Sequence, residues 1–356
     1  MKKTKVFIFT KYNYRGASSR VRTYQYLPYL KTHGFQFVVA PLLDDNYLKS
    51  LYTTGRRPLS SILRGYFRRI SYLLTSFHYD LIWIEKELFP WLPALGEKLL
   101  KLARVPYVVD YDDAIFHQYD LHPNPLVRRF LGKKIDAVMQ NAALVLVGNE
   151  YLASRATKAG ARRVEILPSA VDLERYPKVR VRESEIFTIG WIGTPLTARY
   201  LQVIHPALQK VCKERNVRLM LVGSGPVKLE GIPTEIYPWS EESEVSLIQT
   251  FNVGIMPLLD TPWEQGKCGY KLIQYMACIK PVVASPVGVN KKIIDHGING
   301  FLASTCDDWI TALIKLQKDP SLRKRMGEAG RQKVEAEYSL QVTAPLLVKL
   351  LKSISK

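Results

Sequence analysis

The feature that most constrains this chain is a regular alternation of short apolar runs with longer amphipathic stretches, repeated in two successive series. The first series places strands near 5–10 (KVFIFT), 35–40, 80–84 (DLIWI), 105–109 (VPYVV), 143–147 (ALVLV) and 163–167. The second places them at 186–192 (IFTIGWI), 217–222 (VRLMLV), 253–256, 281–284 (PVVA) and 300–302. Apolar strands separated by helical stretches call for parallel sheets with helices on both faces. Ligand loops then gather at the strand C-terminal ends, so two such units are expected to face one another across a cleft. Residues 167–185, LPSAVDLERYPKVRVRESE, are polar, hold two prolines and have weak periodicity, which reads as a linker. The expected division is a first domain over 1–178, joined by a returning helix within 339–356, and a second over 179–338. A chain of 356 residues suits two domains of ordinary size.

Charge narrows the partners. The net charge is +19. Residues 1–178 hold 28 Lys+Arg against 15 Asp+Glu, a net of +13, leaving +6 for the remainder. A basic first half points to an anionic partner: a phosphorylated substrate, a phospholipid surface or nucleic acid. Nucleic acid is disfavoured, because no helix-turn-helix, zinc-finger or RNA-binding strand signature accompanies the charge. The four cysteines, Cys212, Cys268, Cys278 and Cys306, form no C-x-x-C pair. The basic start has too short an apolar run for a signal peptide, and no stretch is long enough to span a bilayer. A cytoplasmic protein with reduced thiols is expected.

Four segments carry candidate chemistry. The loop Lys11–Ser19 follows the first strand, with Gly16 for tight geometry, Ser18 or Ser19 as a helix cap, and Arg15, Arg20 and Arg22 near a helix start that attracts anions. An ordinary capped helix with surface arginines explains the same residues. VVDYDDAIF puts Asp110, Asp112 and Asp113 beyond a buried strand, where carboxylates suit ligand hydroxyls, a base role, a divalent metal or turn chemistry. LMLVGSGP ends a strand at Gly223 and Gly225. The richest stretch is 262–288, where Gly266, Lys267, Cys268 and Gly269 precede a helix carrying Lys271 and Gln274. A helix start with two lysines four apart forms a pyrophosphate cradle. Solvated surface charge accounts for either lysine taken singly.

Residues 56–77 read as a basic amphipathic helix, which suits a membrane surface, while an ordinary core-packing helix with a solvated basic face explains the same residues. Leu59, Ile62, Leu63, Tyr66, Ile70, Leu73, Leu74 and Phe77 follow helical spacing, with Arg57, Arg64 and Arg68 opposite. Most of that stripe is expected to pack on the domain, leaving Phe67 and the arginines to meet an anionic surface.

Together LMLVGSGP, FNVGIMPL, KLIQYMACIKPVVASPVG and HGINGFL…LQKDPSLRKRMGEAGRQKV…YS, in that order over about 170 residues, resemble the retaining glycosyltransferases of family 4 (glycosyl transferases group 1). LPSAVD looks like a variant of that family's Pro-Asn-Gly-Val-Asp, and the first half resembles it more loosely. The resemblance implies the GT-B fold, two Rossmann-like doubly wound domains. It also implies a donor nucleotide on the C-terminal domain, an acceptor mainly on the N-terminal one, retention of configuration and no essential metal.

The donor-side candidates are then Gly193, Thr194, Arg199, Gly223, Gly225, Trp239, Glu264, Gly266, Lys267, Cys268, Gly269, Lys271 and Gln274. Of the family's two glutamates seven residues apart, the second falls on Gln274 and the first on Gly266, with Glu264 as its candidate substitute. The family's Arg and Lys pair falls on Thr194 and Arg199. Asp112, where many relatives carry histidine, and Asp113 are the catalytic candidates; Arg15, Gly16 and Ser18 are the acceptor-side ones. The implied partners are a UDP- or GDP-type nucleotide sugar, a glycan or lipid-linked acceptor, and an anionic membrane surface on the cytoplasmic side. A sugar-nucleotide epimerase of the same fold and a catalytically silent basic binding protein are the competing readings.

Overall fold

The computed structural model of the chain describes residues 3–179, 185–214 and 216–355. Contacts divide the chain into two compact units. Unit 1 comprises Met1–Ser169, Gln265–Cys268 and Thr343–Lys356; unit 2 comprises Ala170–Glu264 and Gly269–Val342.

Unit 1 is built on a parallel sheet of six strands: β1 (Thr4–Tyr12), β2 (Phe35–Leu43), β3 (Leu81–Glu85), β4 (Tyr107–Tyr111), β5 (Leu144–Val147) and β6 (Val164–Ile166), in the order β2-β1-β3-β4-β5-β6. Every residue of β3, β4 and β5 is buried, as expected where helices cover both faces. Asp110 therefore lies inside β4 rather than beyond it.

Unit 2 repeats the plan with β7 (Phe187–Ile192), β8 (Val217–Val222), β9 (Thr234–Tyr237), β10 (Val253–Met256), β11 (Val282–Ala284) and β12 (Gly300–Leu302), ordered β12-β11-β10-β7-β8-β9. One core cluster is centred on Ile189, Trp191, Leu219 and Leu221, and a second on Leu272, Ile273, Tyr275 and Met276. The strand missing from the sequence reading is β9. It pairs only with β8, carries no buried residue and is bracketed by Pro233 and Pro238, so no apolar run announces it.

The segment read as a linker needs correction. Residues 180–184 lie outside the described residues; before them the chain is packed. Val171 bridges Ser339, and Tyr176 is buried in the unit 2 core. The final helix, Leu340–Lys352, belongs to unit 1 from Thr343 onward, where Tyr26 Oη donates to Thr343 Oγ1 at 3.0 Å.

The helix Leu59–Ser76 also packs differently from expectation. Its inward side is Gly65, Arg69, Leu73 and Ser76, while Leu59, Leu63, Ile70 and Leu74 join Phe67 in solvent. Gly65 explains the orientation: a Cβ there would lie 2.2 Å from the Leu42 carbonyl oxygen, so only glycine lets the helix settle this closely on β2. Arg69 then lies inside, donating to the carbonyls of Ala40 (3.0 Å), Leu88 (3.1 Å) and Thr10.

Candidate active site

In unit 2 the C-terminal ends of β7 and β8 approach one another without side chains between them. A Cβ on Gly193 would meet the Trp191 ring at 2.5 Å and Lys271 Cε at 2.9 Å. Gly223, at φ +75°, would place its Cβ 2.4 Å from the Gly193 carbonyl oxygen and 2.9 Å from Trp239 Cβ. Gly193, Gly223, Trp239 and Lys271 are thus brought into one cluster. Lys271 Nζ stands 5.1 Å from the centre of the Trp191 ring, a cation–π contact that holds the ammonium at the strand end. Gly269, at φ +65°, opens the helix Tyr270–Ala277, and no side chain caps its first turn. A lysine at the second helical position, at the positive end of the helix, makes an anion-attracting corner.

Two hydrogen-bonded chains adjoin this corner. Gln274 Nε2 donates to Tyr176 Oη at 2.9 Å, Tyr176 donates to Glu244 Oε1 at 3.2 Å, and Trp239 Nε1 donates to Glu244 Oε2 at 2.8 Å. Two donor-side candidates, Gln274 and Trp239, are therefore tied through Glu244, a buried carboxylate that also pairs with Arg175 at 3.1 Å. In the second chain, buried Glu264 accepts from Tyr200 Oη and Thr261 Oγ1, and Arg199 Nη2 lies 3.3 Å from Tyr200 Oη. Thr194 closes a turn with Thr197, and Gly225, at φ +64°, lies against Pro195.

Three residues read as donor-side belong instead to unit 1. Asn149 Nδ2 donates to the carbonyls of Gly266 and Lys267, both at 3.0 Å. Gly266 is pressed on Ala114, where a Cβ would come within 2.5 Å of Ala114 Cβ. Cys268 is buried and its thiol donates to the Asp112 carbonyl at 3.1 Å, with burial pushing its pKa well up. Lys267 Nζ lies 3.5 Å from Asp113 Oδ1. The helix begins at Tyr270, so Lys267 and Lys271 do not share a helical face.

The polar edge of unit 1 forms at the ends of β1, β3 and β4. Lys86 follows β3 in a left-handed conformation, φ +66°, strained for a residue with a side chain. Its ammonium is buried 2.7 Å from Asp112 Oδ1 and 3.6 Å from Asp113 Oδ2. Burial alone would raise the Asp112 pKa, but Lys86 overrides it, helped by Arg22 and Ser18, and brings it down to about 2. Lys86 thus holds Asp112 as an anion and hydrogen-bond acceptor. Asp110 is held separately by Arg22, through bonds of 2.6 to 3.2 Å. All three carboxylates of the Asp110–Asp113 run thus face cations of the chain.

The loop after β1 also differs from its reading. Gly16, not a serine, takes the cap position, pressed against Tyr12. Ser18 and Ser19 donate to the two oxygens of Glu85 at 2.8 and 2.5 Å, and the Lys11 N–H donates to it at 2.9 Å. The anion drawn to this loop is the chain's own Glu85. Arg15 is exposed, 3.8 Å from Asp45. Sequence reasoning missed Glu85, Lys86, Trp191, Tyr176, Tyr200 and Glu244. The only trace of the first two was a charged pair directly after a wholly apolar strand.

Residues 183–319 match the family described as Glycosyl transferases group 1. This stretch is a glycosyl transferases group 1 domain. It contains Gly193, Gly223, Trp239 and Lys271, the cluster at the ends of β7 and β8. A curated relative, N-acetyl-alpha-D-glucosaminyl L-malate synthase of Bacillus anthracis, is 29% identical over 168 residues, covering 44% of this chain and 43% of that protein. The aligned stretch thus spans less than half of that relative.

Solved structures extend the likeness to the whole chain. Sucrose-phosphate synthase from Thermosynechococcus elongatus superposes with a TM-score of 0.75 at 14% identity, covering 99% of both chains. HepE of Anabaena in complex with UDP gives 0.71 at 15% identity, covering 98% of this chain and 100% of that one. The group 1 domain and the sheet that precedes it therefore have the GT-B fold, each a doubly wound parallel sheet.

Proposed function

We propose that this protein transfers a sugar from a UDP- or GDP-type nucleotide sugar to a hydroxyl of a glycan or lipid-linked acceptor. Retention of configuration, no essential metal, and a role in cell-surface polysaccharide or glycolipid synthesis complete the reading. The observation that carries it is the corner where Gly193, Gly223, Trp239 and Lys271 come together at the strand ends, at the start of the helix Tyr270–Ala277. A leaving diphosphate needs positive charge aimed at it as the glycosidic bond breaks. Lys271 supplies it, with Arg199 a further cation of the same unit. HepE, solved with UDP and with UDP-glucose, makes UDP the first nucleotide to test.

In unit 1 the proposed acceptor-side group is Asp112, kept ionised by Lys86 and able to accept a hydrogen bond from the acceptor hydroxyl and orient it. Asp113, Ser18, Gly16 and Arg15 stand along the same edge. The proposed setting is the cytoplasmic side of a membrane with anionic lipid. Among the described residues no helix is long and apolar enough to cross a membrane.

The test is turnover of UDP-sugars with and without an acceptor extract, before and after chelation. Acceptor-dependent release of UDP that survives chelation supports the transferase. Isomerised nucleotide sugar formed without acceptor indicates an epimerase, and no turnover with any nucleotide sugar indicates a binding protein.

A further inference from the structure

The outward side of the helix Leu59–Ser76 is apolar. Leu59, Leu63, Phe67, Ile70 and Leu74 recur at intervals of four, four, three and four residues, and each is 49 to 72% exposed. That spacing is one continuous helical face. The opposite face is already committed to β2 through Gly65 and Arg69, so the stripe cannot turn inward.

A second helix extends the surface. Leu95–Leu102 exposes Leu95, Leu99 and Leu102 at 66, 43 and 80%. The connections β2→β3 and β3→β4 step the same way through the sheet, so right-handed crossovers set both helices on one side of unit 1. They touch where a Cβ on Gly96 would come 3.4 Å from Leu73 Cδ2.

Charge selects the occupant. The first helix contains no Asp or Glu, and the only carboxylate of the second, Glu97, is buried and accepts the Leu88 N–H at 2.8 Å. The exposed charges around the stripe are Arg56, Arg57, Arg64, Lys98, Lys101 and Arg104. A second copy of the chain would set these cations against themselves, because a two-fold contact joins the same patch on both subunits. An anionic lipid surface offers acyl chains to the stripe and phosphates to the cations.

Resting on the reading of the chain as a membrane-side transferase, we propose that this two-helix face docks on an anionic phospholipid bilayer by inserting its apolar stripe. Charge steers the approach and insertion holds the contact.

The experiment is co-sedimentation with vesicles of phosphatidylcholine alone and of equimolar phosphatidylcholine and phosphatidylglycerol, at low and high salt. The wild type should bind the anionic vesicles. The variant Leu63→Gln/Phe67→Gln/Leu74→Gln should bind about tenfold more weakly or less, at either salt, with an unchanged circular dichroism melt. Arg56→Gln/Arg57→Gln/Arg64→Gln should lose the preference for anionic over neutral vesicles; Arg68 is left alone because it donates to the Pro41 carbonyl at 2.9 Å. Failure of the wild type to bind, or binding by the apolar variant equal to wild type, would overturn the proposal. So would a dimer-to-monomer change in the apolar variant with vesicle binding intact. UDP calorimetry on the same samples separates the two readings: docking without nucleotide binding would refute the transferase and leave the docking face standing.

Discussion

Lys86 and Asp112 form an ion pair, Nζ to Oδ1 at 2.7 Å, across the ends of β3 and β4, with the lysine buried and the carboxylate half-buried. It holds the Asp112 pKa near 2, below an ordinary value of about 4. A carboxyl depressed in the folded state stabilises the protein above its unfolded pKa, and that contribution disappears as pH falls through the folded value. The wild type should therefore lose about 2 kcal/mol between about pH 4 and pH 2 that Asp112→Asn does not lose. Denaturant melts across that range measure the difference, and parallel curves would deny the pair its role.

Lys86→Met should destabilise by about 2 kcal/mol, because it leaves a half-buried anion without its cation. Adding Asp112→Asn to that variant should recover most of the loss. A double-mutant cycle reads the coupling, and simple additivity would mean that the two groups do not interact.

Asp112→Asn should lower transfer more than it lowers UDP affinity, since Asp112 belongs to unit 1 and the nucleotide corner to unit 2. Turnover alongside calorimetry distinguishes this from equal loss of both, which would make Asp112 structural.

Gln274→Glu, which restores the family's residue, should destabilise this protein by about 2 kcal/mol. Tyr176 Oη receives the Gln274 amide proton and gives its own to Glu244. A glutamate at 274 would bring a second carboxylate to a hydroxyl that has one proton to give. Thermal melts of Gln274→Glu alone and with Glu244→Gln test this, and the second substitution should restore stability.

The sheets were legible because the inner parallel strands are written as apolar runs, and eleven of the twelve strands were placed, the edge strand β6 among them although it buries no residue. β9 was not, as an edge strand with little to bury. The glycine at 223 was legible as a position of close approach; Gly193 was legible only as a donor-side candidate. What packs against Gly193 was not, since Trp191 reads as ordinary core until the fold sets it beside Lys271. Gly266–Cys268 misled for a related reason. In sequence they precede the donor helix, while Asn149, from 117 residues earlier, holds the backbone of Gly266 in unit 1. The inward face of Leu59–Ser76 was misjudged because hydrophobicity alone cannot foresee that Gly65 will meet β2 or that Arg69 will be spent on carbonyls.

The UDP affinities of wild type and Lys271→Ala, by titration calorimetry, test the proposed nucleotide corner of unit 2. The wild type should bind UDP with a raised melting temperature, as a ligand of the native state requires. Lys271→Ala should bind about tenfold more weakly, roughly 1.4 kcal/mol, for the loss of a charge-assisted phosphate contact. Equal affinities in the two proteins would contradict the account and leave Lys271 a lysine that does no more than cover Trp191.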